Sequence, residues 1–479
     1  MERSNALAVV LRAALALTLF AAVECGIARD ASAAGAALAT KDATFGKIAG
    51  AMDPASLAVI SPNGRRMAYP CSAADGKQFV VLDGKEGKAF DEVAKGMPIF
   101  SPDSKRVAYI AKRDDKALVV VDGAEGKAYD TIEEGTLVFS PDSKRVAYVG
   151  WIGDKPVAVV DGAESKPCEG VALGTPAFFS ADSKHAAFTC ERGGRKLMVL
   201  DGAEGKEYGS ILKGTPVFSP DGARIACVVQ QDVRWTVIVD KTESKPVDAV
   251  MEGSLTFSPD SKRVAFAGRS RGKWMVVLDG VEKRLSEQIE KGSPVFSPDS
   301  KRIACAAKRG DKAVVVMDDT DGKLYEEIAE RAPVWSEDSK RVAYAASDGN
   351  KWMVVVDGDD PKQYDADEYS VPVLSPDSKR VAFAVARADK MAVVVDGAAG
   401  KEYDQVAKAG PVFSPDSKHV AYAARSGESW VLVVDGAESK AYASFLQEGK
   451  LAFDVPTVLR ALALTAEGDI LRVEAPLAK

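Results

Sequence analysis

Short apolar segments recur along the whole chain, and polar turns separate them. Segments such as "KRVAYAA" (340–346) and "KALVVVDG" (116–123) are rich in Val, Ala and Tyr and do not alternate cleanly between apolar and polar residues. Strands that are apolar on both faces must be covered on both sides. The pattern therefore predicts β-sheets that stack on one another.

One decapeptide, "FSPDSKRVAY", begins at Phe100 and returns almost unchanged near Phe139, Phe257 and Phe413. The serine of its Ser-Pro-Asp turn recurs at intervals of 39 or 40 residues. Such regular spacing indicates one supersecondary unit copied ten times without linkers. The marker serines are Ser61, Ser101, Ser140, Ser180, Ser219, Ser258, Ser297, Ser336, Ser375 and Ser414.

Each unit divides into four predicted strands. Strand a is "TPVFS" (215–219), strand b is "KRVAYAA", strand c is "KALVVVDG" and strand d is "EYDQVAKAG" (402–410). A Ser-Pro-Asp-Ser turn joins a to b, and a tight "DGAEGK" turn joins c to d. A four-stranded sheet packed between copies of itself is the blade of a β-propeller. We therefore predict an all-β fold, a β-propeller of four-stranded antiparallel blades.

The two ends of the repeat region predict how the ring closes. "ATFGKI" (43–48) matches "KAYDTI" (127–132) and supplies a lone strand d, whereas "KLAFD", "VLRALALTA" and "DILRVEA" near the other end supply strands a, b and c. Together they make a composite blade, so we predict about 10–11 blades in one ring. Propellers typically have four to eight blades, so two smaller propellers or an open arc stay as alternatives. The unbroken spacing favours one ring.

The segments "FSPDSKRVAY" and "FSPDGARIAC" (218–227) resemble the WD40-like repeats of TolB-type periplasmic propellers and of the propeller domains of prolyl oligopeptidases. The resemblance covers roughly residues 45–475. The Gly-His and Trp-Asp signatures of true WD40 proteins do not occur. The resemblance implies a non-catalytic propeller that binds a protein or a cell-envelope ligand, and we expect no hydrolase domain.

Composition and the N-terminal residues narrow the class further. The 479 residues are 46% hydrophobic and 28% charged, with a net charge of −7 and no basic block, which argues against a nucleic-acid partner. Residues 1–33 have the pattern of a secretory signal peptide, with an apolar core at 13–23 and a small-residue cleavage site at 31–33. A membrane anchor is disfavoured because eleven apolar residues are too few to span a bilayer. A lipoprotein site at Cys25 is disfavoured by Glu24.

The predicted organisation is therefore a signal peptide (1–33), a short leader (34–42) and a propeller (43–479). We expect a periplasmic or secreted monomer with no integral membrane segment after cleavage. Five cysteines follow the signal peptide, an odd number without any CxxC pair, and several take repeat positions held elsewhere by Tyr or Phe. We expect them to be small buried apolar side chains, and not disulfides. They are Cys71, Cys168, Cys190, Cys227 and Cys305.

Few residues suit catalysis or metal binding. His185 and His419 are the only histidines, and both replace the arginine that precedes strand b, such as Arg106, so we expect polar surface substitutions. The acidic stretches 318–322 and 357–369 are the best calcium candidates, but Met317 holds the first ligand position of the first stretch. We predict solvated loops, no metal and no cofactor.

Propeller topology places the a–b and c–d turns on one face and the b–c and d–a loops on the other. The a–b and c–d turns are nearly identical between repeats, whereas the b–c loops vary, so we predict recognition on the variable face. The tryptophans at the start of strand c fit packing, or a rim that binds a peptide or glycan. The candidate residues are Arg113, Asp114, Arg192, Arg195, Arg234, Trp235, Arg269, Arg271, Trp274, Arg309, Asp348, Trp352, Arg387 and Trp430.

Three function classes stay open on the sequence alone. The first is the exported binding propeller. The second is a carbohydrate-active enzyme, a glycan hydrolase or lyase, that uses acidic residues near the central channel. The third is a purely structural surface protein.

Overall fold

The computed structural model describes residues 38–47, 59–94, 98–171, 179–329, 333–349, 351–358, 363–364, 368–446, 449–455 and 457–477. The predicted signal peptide lies outside these residues. Within them the regular elements are β-strands, and no helix is long and apolar enough to cross a membrane. The strands form eleven antiparallel sheets, each with the strand order a-b-c-d. The prediction of a β-propeller is confirmed.

Strands b and c form the middle of each blade, which we number in the chain order of strand b. Strands b are Met67–Ser72, Val107–Arg113, Val146–Ile152, Ala187–Arg192, Ile225–Gln231, Val264–Ser270, Ile303–Arg309, Val342–Asp348, Val381–Arg387, Val420–Ser426 and Val458–Leu464. Strands c are Gln78–Leu82, Lys116–Val121, Lys155–Val160, Arg195–Leu200, Arg234–Val239, Lys273–Leu278, Lys312–Met317, Lys351–Val356, Lys390–Val395, Ser429–Val434 and Asp469–Pro476.

Strands a and d form the edges, and strand a is split into two short pieces. The first pieces are Glu92–Val93, Thr131–Ile132, Gly170–Val171, Ser210–Ile211, Ala249–Val250, Glu327–Ile328, Glu368–Tyr369, Gln405–Val406 and Ser444–Phe445. The second pieces are Val59–Ile60, Ile99–Phe100, Val138–Phe139, Val217–Phe218, Thr256–Phe257, Val295–Phe296, Val334–Trp335, Val373–Leu374, Val412–Phe413 and Ala452–Val455. Strands d are Lys85–Glu86, Ala124–Tyr129, Ala163–Glu164, Ala203–Tyr208, Thr242–Glu243, Val281–Ser286, Thr320–Tyr325, Gln363–Tyr364, Ala398–Tyr403, Ala437–Glu438 and Lys41–Lys47.

The predicted strand d is wrong in its boundaries. Strand d begins directly after the Asp-Gly turn and ends at Tyr403, and Gln405–Val406 already pairs with strand b of the next blade. The turn itself is only the two residues Asp396 and Gly397, both with positive φ (51° and 81°), as in the type I′ hairpins that match strand twist. The sequence pattern missed this because strand d is mostly exposed, so its residues read as a polar turn.

The eleventh blade is composite, as predicted. Lys41–Lys47 pairs antiparallel with Asp469–Pro476 and takes the position of strand d. One face of this blade packs on blade 10 through Leu459 and Leu432, and the other packs on blade 1 through Leu462 and Ile60. The eleven blades therefore form one closed ring, and the alternatives of two propellers or an open arc are wrong.

The core consists of the seams between blades. Strand b contributes alanines such as Ala108 and Ala147 that are fully buried, which lets neighbouring sheets approach closely. The tyrosine that ends strand d packs edge-to-face on a tyrosine in strand b of the next blade, as in Tyr129 with Tyr148 at 5.9 Å between ring centroids. Burial of these aromatic rings stabilises the seams that contain such a pair.

The expectation that the cysteines form no disulfide is wrong for one pair. Cys168 and Cys190 are joined by a disulfide between blades 3 and 4. In the preceding seam the corresponding positions are Tyr129 and Gly150, where a Cβ on Gly150 would lie only 2.6 Å from the Tyr129 ring. The two repeat positions are therefore close neighbours across a seam, although they are 22 residues apart in sequence.

The other cysteines agree with the prediction. Cys227 and Cys305 are buried and free, and burial raises the pKa of each thiol to about 12. Cys71 is half-buried and is not part of a disulfide. These side chains fill space in the seams as small apolar groups.

Candidate functional site

The a–b turn is held by hydrogen bonds within its own six residues. Ser101 Oγ donates to Asp103 Oδ1 (2.7 Å) and accepts from the backbone N–H of Arg106 (2.9 Å), while Asp103 Oδ1 also accepts from the N–H of Lys105 (3.0 Å). Ser104 has a positive φ of 65°. The recurring Ser, Asp and Ser side chains therefore define the shape of the turn.

The same turn also links a blade to the next one in most of the ring. The N–H of Asp103 donates to Ser143 Oγ of the following blade (2.9 Å), and Arg106 Nη1 donates to the carbonyl of Lys144 (2.8 Å). The guanidinium of Arg106 stacks 5.3 Å from the Phe139 ring. Equivalent N–H to serine bonds are Asn63–Ser104, Asp142–Ser183, Asp221–Ser261, Asp260–Ser300, Asp299–Ser339, Asp338–Ser378 and Asp377–Ser417. The repeated decapeptide thus has a structural role on this face.

The recurring aspartate after strand c belongs to the same network. Asp122 Oδ2 accepts from Arg106 Nε (2.8 Å) and Asp122 Oδ1 accepts from the N–H of Val107 (2.9 Å). The two histidines take the place of the arginine in their blades: Nδ1 of His185 and of His419 lies 2.6 Å from Asp201 and Asp435 respectively. Both histidines contact carboxylates of the scaffold. The His185 side chain is exposed, as expected of a surface position, whereas the His419 side chain is largely buried.

We expect replacement of Asp103 by alanine to lower the melting temperature by about 1 to 3 °C, because the Ser101 hydroxyl and the Lys105 N–H both lose their acceptor. Asp103→Asn should melt like the wild type, because Asn63 makes the same two contacts through Oδ1 in blade 1. Differential scanning calorimetry of both variants measures this. Equal destabilisation by Ala and Asn would show that the negative charge, and not the turn geometry, is what matters.

The turn carboxylates also predict a dependence of stability on pH. The pKa of Asp103 lies below its ordinary value, mainly because Ser101 Oγ donates to the carboxylate and to a lesser extent because the Lys105 N–H does. The equivalent bonds lower the pKa of Asp182 to about 2. A carboxylate whose pKa is lower in the folded state than in the unfolded state stabilises the fold at pH values above its unfolded pKa. That stabilisation is lost as the pH falls through the folded pKa. We expect a nearly constant melting temperature down to about pH 5 and a steep fall below about pH 4. An unchanged melting temperature at pH 2.5 would contradict this.

The opposite face carries the b–c turns and a structural feature that the sequence analysis missed. The acidic residue between strands d and a caps the b–c turn of the next blade: Asp130 accepts from the Gly153 N–H (2.6 Å) and pairs with Lys116. The pKa of Asp130 is lowered, mainly by the hydrogen bond from Lys116 and to a lesser extent by the bond from the Gly153 N–H. The "YD" dipeptide that ends strand d at 129–130 and 403–404 is the sequence signal that marks this acid. Equivalent acids are Asp91, Glu169, Asp248 and Asp404.

The structure places all of the predicted recognition residues in b–c hairpins, but distributes them around the ring over blades 2 and 4–10. Three of the arginines are bound within their own blades by paired contacts to an acid of strand d. Arg113 contacts Glu125 (2.7 and 3.2 Å), Arg192 contacts Glu204 (3.2 and 3.0 Å) and Arg309 contacts Asp321 (3.1 and 3.0 Å). These three guanidinium groups contribute to the scaffold.

The four tryptophans are half-buried. Trp235, Trp274, Trp352 and Trp430 each pack against the apolar core of a seam. Trp274 also lies under the guanidinium of Arg269, at 5.6 Å. Of the two interpretations of this repeat position, packing is the one that these contacts favour.

The remaining predicted residues are exposed. They are Asp114, Arg195, Arg234, Arg269, Arg271, Asp348 and Arg387. Four of the arginines belong to the consecutive blades 4, 5 and 6, beside Val233, whose side chain is 81% exposed. We call Arg195, Arg234, Arg269 and Arg271 the basic sector.

Candidate catalytic groups are part of the scaffold. Residues 268–272 have the G-x-S-x-G spacing of a hydrolase nucleophile, which the sequence analysis overlooked. However, Ser270 ends strand b and is followed by a hairpin to Lys273, and not by a helix. Among the described residues, no group of three or more His, Cys, Asp or Glu side chains could hold a metal ion.

The first acidic stretch is engaged in ion pairs. Asp318 contacts Arg302, Asp319 contacts Lys283 and Asp321 contacts Arg309, all within 3.0 Å. In the second stretch, Asp357 contacts Arg341 at 2.9 Å, and residues 359–362 and 365–367 lie outside the described part.

Comparison with known proteins adds fold relatives only. No family model and no curated protein matches this sequence. Similar solved structures include a eukaryotic initiation factor (12% identity over 71% of this chain and 96% of that one, TM-score 0.39). TolB from Acinetobacter baumannii matches with 17% identity over 53% of this chain and 64% of that one (TM-score 0.25). Virginiamycin B lyase from Staphylococcus aureus matches with 14% identity over 55% and 94% (TM-score 0.24).

The blades and their closure define the class of this protein directly. It is an eleven-bladed β-propeller.

Proposed function

We propose that this chain is an exported, non-catalytic propeller that binds a protein or a cell-envelope ligand through its b–c face. The observation that carries the proposal is the difference between the two faces. The a–b turns are nearly identical and their polar groups join one blade to the next. The b–c turns differ between blades and present exposed side chains, which is what specific recognition requires.

Two observations support export. Residues 1–33 have the pattern of a secretory signal peptide. The disulfide between Cys168 and Cys190 is of the kind that persists in oxidising compartments such as the periplasm. Cell fractionation, with mass spectrometry of the mature N-terminus, tests this part. A cytoplasmic chain that retains residues 1–33 would refute it.

The basic sector is the part of the b–c face where we expect the partner to dock. Its arginines lie on neighbouring blades, and the adjacent Val233 adds exposed apolar surface. Arginine and apolar groups that lie side by side are typical of energetically important interface positions. We expect a partner with an acidic surface.

The experiment is a pull-down from envelope extracts with the wild type and two triple variants, each of which loses three positive charges. The test variant is Arg195→Ser, Arg234→Ser and Arg269→Ser, and the control variant is Lys105→Ser, Lys144→Ser and Lys301→Ser on the opposite face, whose lysine side chains are about 80% exposed. We expect the test variant to lose the partner and the control to retain it, with equal melting temperatures. Retention by the test variant, or equal loss by both, would refute the assignment of this face.

The enzyme hypothesis places carboxylates around the channel. That hypothesis assigns no particular residue. The ion-paired 318–322 stretch lies in the c–d turn and strand d of blade 7, so its contacts do not bear on carboxylates at the channel. Turnover of glycans by the purified protein would favour the enzyme and overturn the binding proposal.

A further inference from the structure

Two clefts between blades are built from the same repeat positions. One lies between blades 2 and 3 and has a volume of about 290 Å³, and the other lies between blades 9 and 10 and has a volume of about 330 Å³. Each is lined by strands c and d of one blade and by strand b and the c–d turn of the next. The shared aliphatic lining includes Val119, Ala124 and Val146 in the first cleft, and Val393, Ala398 and Val420 in the second.

Three further lining positions distinguish these two seams from the others. In the first seam a valine ends strand c (Val121), a glycine is the third residue of strand d (Gly126), and a tyrosine lies in strand b of the next blade (Tyr148). No other neighbouring pair among the ten sequence repeats combines a valine, a glycine and a tyrosine at these positions. The corresponding residues of the second seam are Val395, Gly400 and Tyr422.

The glycine keeps the cleft open. A Cβ on Gly126 would lie 3.1 Å from the carbonyl oxygen of Val119 and 3.8 Å from Tyr148 Oη. In the second seam the same distances from a Cβ on Gly400 are 3.2 Å and 3.6 Å. A side chain at this position would therefore lie between the strand c backbone and the tyrosine hydroxyl, inside the cleft.

Blade 10 shows what such a side chain does. Its segment "DGAESKAY" (435–442) differs from "DGAEGKAY" (122–129) of blade 2 only in Ser439. Ser439 Oγ accepts from the N–H of Leu432 at 2.9 Å, and Leu432 is the residue of strand c that corresponds to Val119. The serine therefore covers the part of strand c that the glycine leaves open.

The tyrosine hydroxyl offers an acceptor to a ligand. Tyr129 Oη donates to Glu164 Oε1 (2.8 Å) and is also hydrogen-bonded to Tyr148. Because Tyr129 has only one hydroxyl hydrogen, Tyr148 is the donor between the two tyrosines, and its own oxygen can still accept a hydrogen bond. The corresponding residues of the second seam are Tyr422, Tyr403 and Glu438.

The charged side chains around both clefts are engaged by the scaffold. Every charged side chain in the described lining has a partner of opposite charge, or a histidine, within 3.5 Å. Those of the first cleft are Arg106, Glu125, Lys127, Lys144 and Asp161, and those of the second are Arg380 and Asp435. A charged ligand would have to break such pairs or lose its hydration beside valines, and both are costly. The lining therefore favours an uncharged ligand.

We propose that each of these two clefts binds a small uncharged molecule with a short aliphatic part and one hydroxyl or amide N–H group. The valine and alanine side chains contact the aliphatic part, and the tyrosine oxygen accepts from the O–H or N–H group. A volume of about 300 Å³ is at the small end of the range for small-molecule pockets. The clefts adjoin the c–d turns, so this site is separate from the basic sector and does not depend on the proposed function.

Methyl NMR of the chain that begins at residue 34, with isotope-labelled valine methyl groups, tests the proposal. The probes are isoamyl alcohol and isovaleramide, and the controls are isovalerate and isoamylamine, which carry a charge on the same branched carbon skeleton. We expect saturable shifts of the Val121 and Val395 signals with the neutral probes, with dissociation constants of about 1 millimolar or weaker for ligands of so few atoms. The charged analogues should bind about tenfold more weakly or not at all.

Reciprocal variants assign the response to each cleft. Gly126→Ser installs the residue of blade 10, so it should fold, and it should abolish the response of Val121 while that of Val395 stays unchanged. Gly400→Ser should do the reverse, so each cleft is the control for the other within one molecule. Tyr148→Phe installs the residue type of Phe188 and Phe266 and should weaken binding of the alcohol in the first cleft about twofold to tenfold, because it removes one hydrogen-bond acceptor.

Three results would overturn the proposal. The first is the absence of a saturable response to either neutral probe at about 50 millimolar, well above the affinity expected for such a ligand. The second is a Val121 response that survives in Gly126→Ser. The third is equal affinity for the charged analogues. An unchanged affinity of Tyr148→Phe for the alcohol would refute the hydrogen bond to the tyrosine.

Discussion

A chain that begins at residue 48 is expected to lose about 3 to 6 kcal/mol of its free energy of unfolding relative to a chain that begins at residue 34. Lys41–Lys47 forms six register pairs with Asp469–Pro476, and about 1 kcal/mol per backbone hydrogen bond sets the scale. Asp42 also contacts Lys440 (2.7 Å) and accepts from Tyr442 Oη (3.1 Å), which ties this strand to blade 10.

The measurement is a urea titration of the two chains, followed by fluorescence and circular dichroism. The shorter chain should unfold at a lower urea concentration, and a synthetic peptide of residues 34–47 should restore part of the difference. The control is a full chain with Lys41→Ala, which keeps the backbone pairing and should unfold like the wild type. Equal midpoints for the two chain lengths would show that the ring does not need its composite blade.

Removal of the disulfide is the second large effect. A chain with Cys168→Ala and Cys190→Ala should be less stable by roughly 3 kcal/mol, because the 22-residue separation sets the entropy that the cross-link removes from the unfolded chain. Dithiothreitol should lower the urea midpoint of the wild type to about that of the double variant, and should leave the midpoint of the double variant unchanged.

A matched replacement tests whether the seam or the bond matters. Cys168→Tyr with Cys190→Gly installs the pair found one seam earlier, where the Tyr129 ring lies against Gly150. This variant should recover part of the lost stability without sensitivity to dithiothreitol. If it is no more stable than the double alanine variant, the repeat positions are not interchangeable between seams.

The prediction of the candidate site was less complete than that of the fold, for a physical reason. Topology correctly placed Arg113, Arg192 and Arg309 in b–c hairpins, but each guanidinium is held by an acid of strand d. Residues of strands b and d are separated by strand c, so their contact depends on side-chain length and direction, which spacing does not reveal. Arg195 and Arg234 of the basic sector also lie near acids, Glu207 (3.8 Å) and Asp248 (3.3 Å), but their side chains stay 55% and 48% exposed.

The sequence by itself determined the blade, the repeat and the composite closure, because turn chemistry and strand pattern act between residues that are close in the chain. The 39-residue period carried this information around the whole ring. Only the tertiary structure decided which side chains meet across a seam: Cys168 with Cys190, and Leu462 of blade 11 with Ile60 of blade 1. These contacts join different blades, and in the closing seam they join opposite ends of the chain. They therefore depend on which face of a strand points toward its neighbour, and on the closure that brings the two ends together.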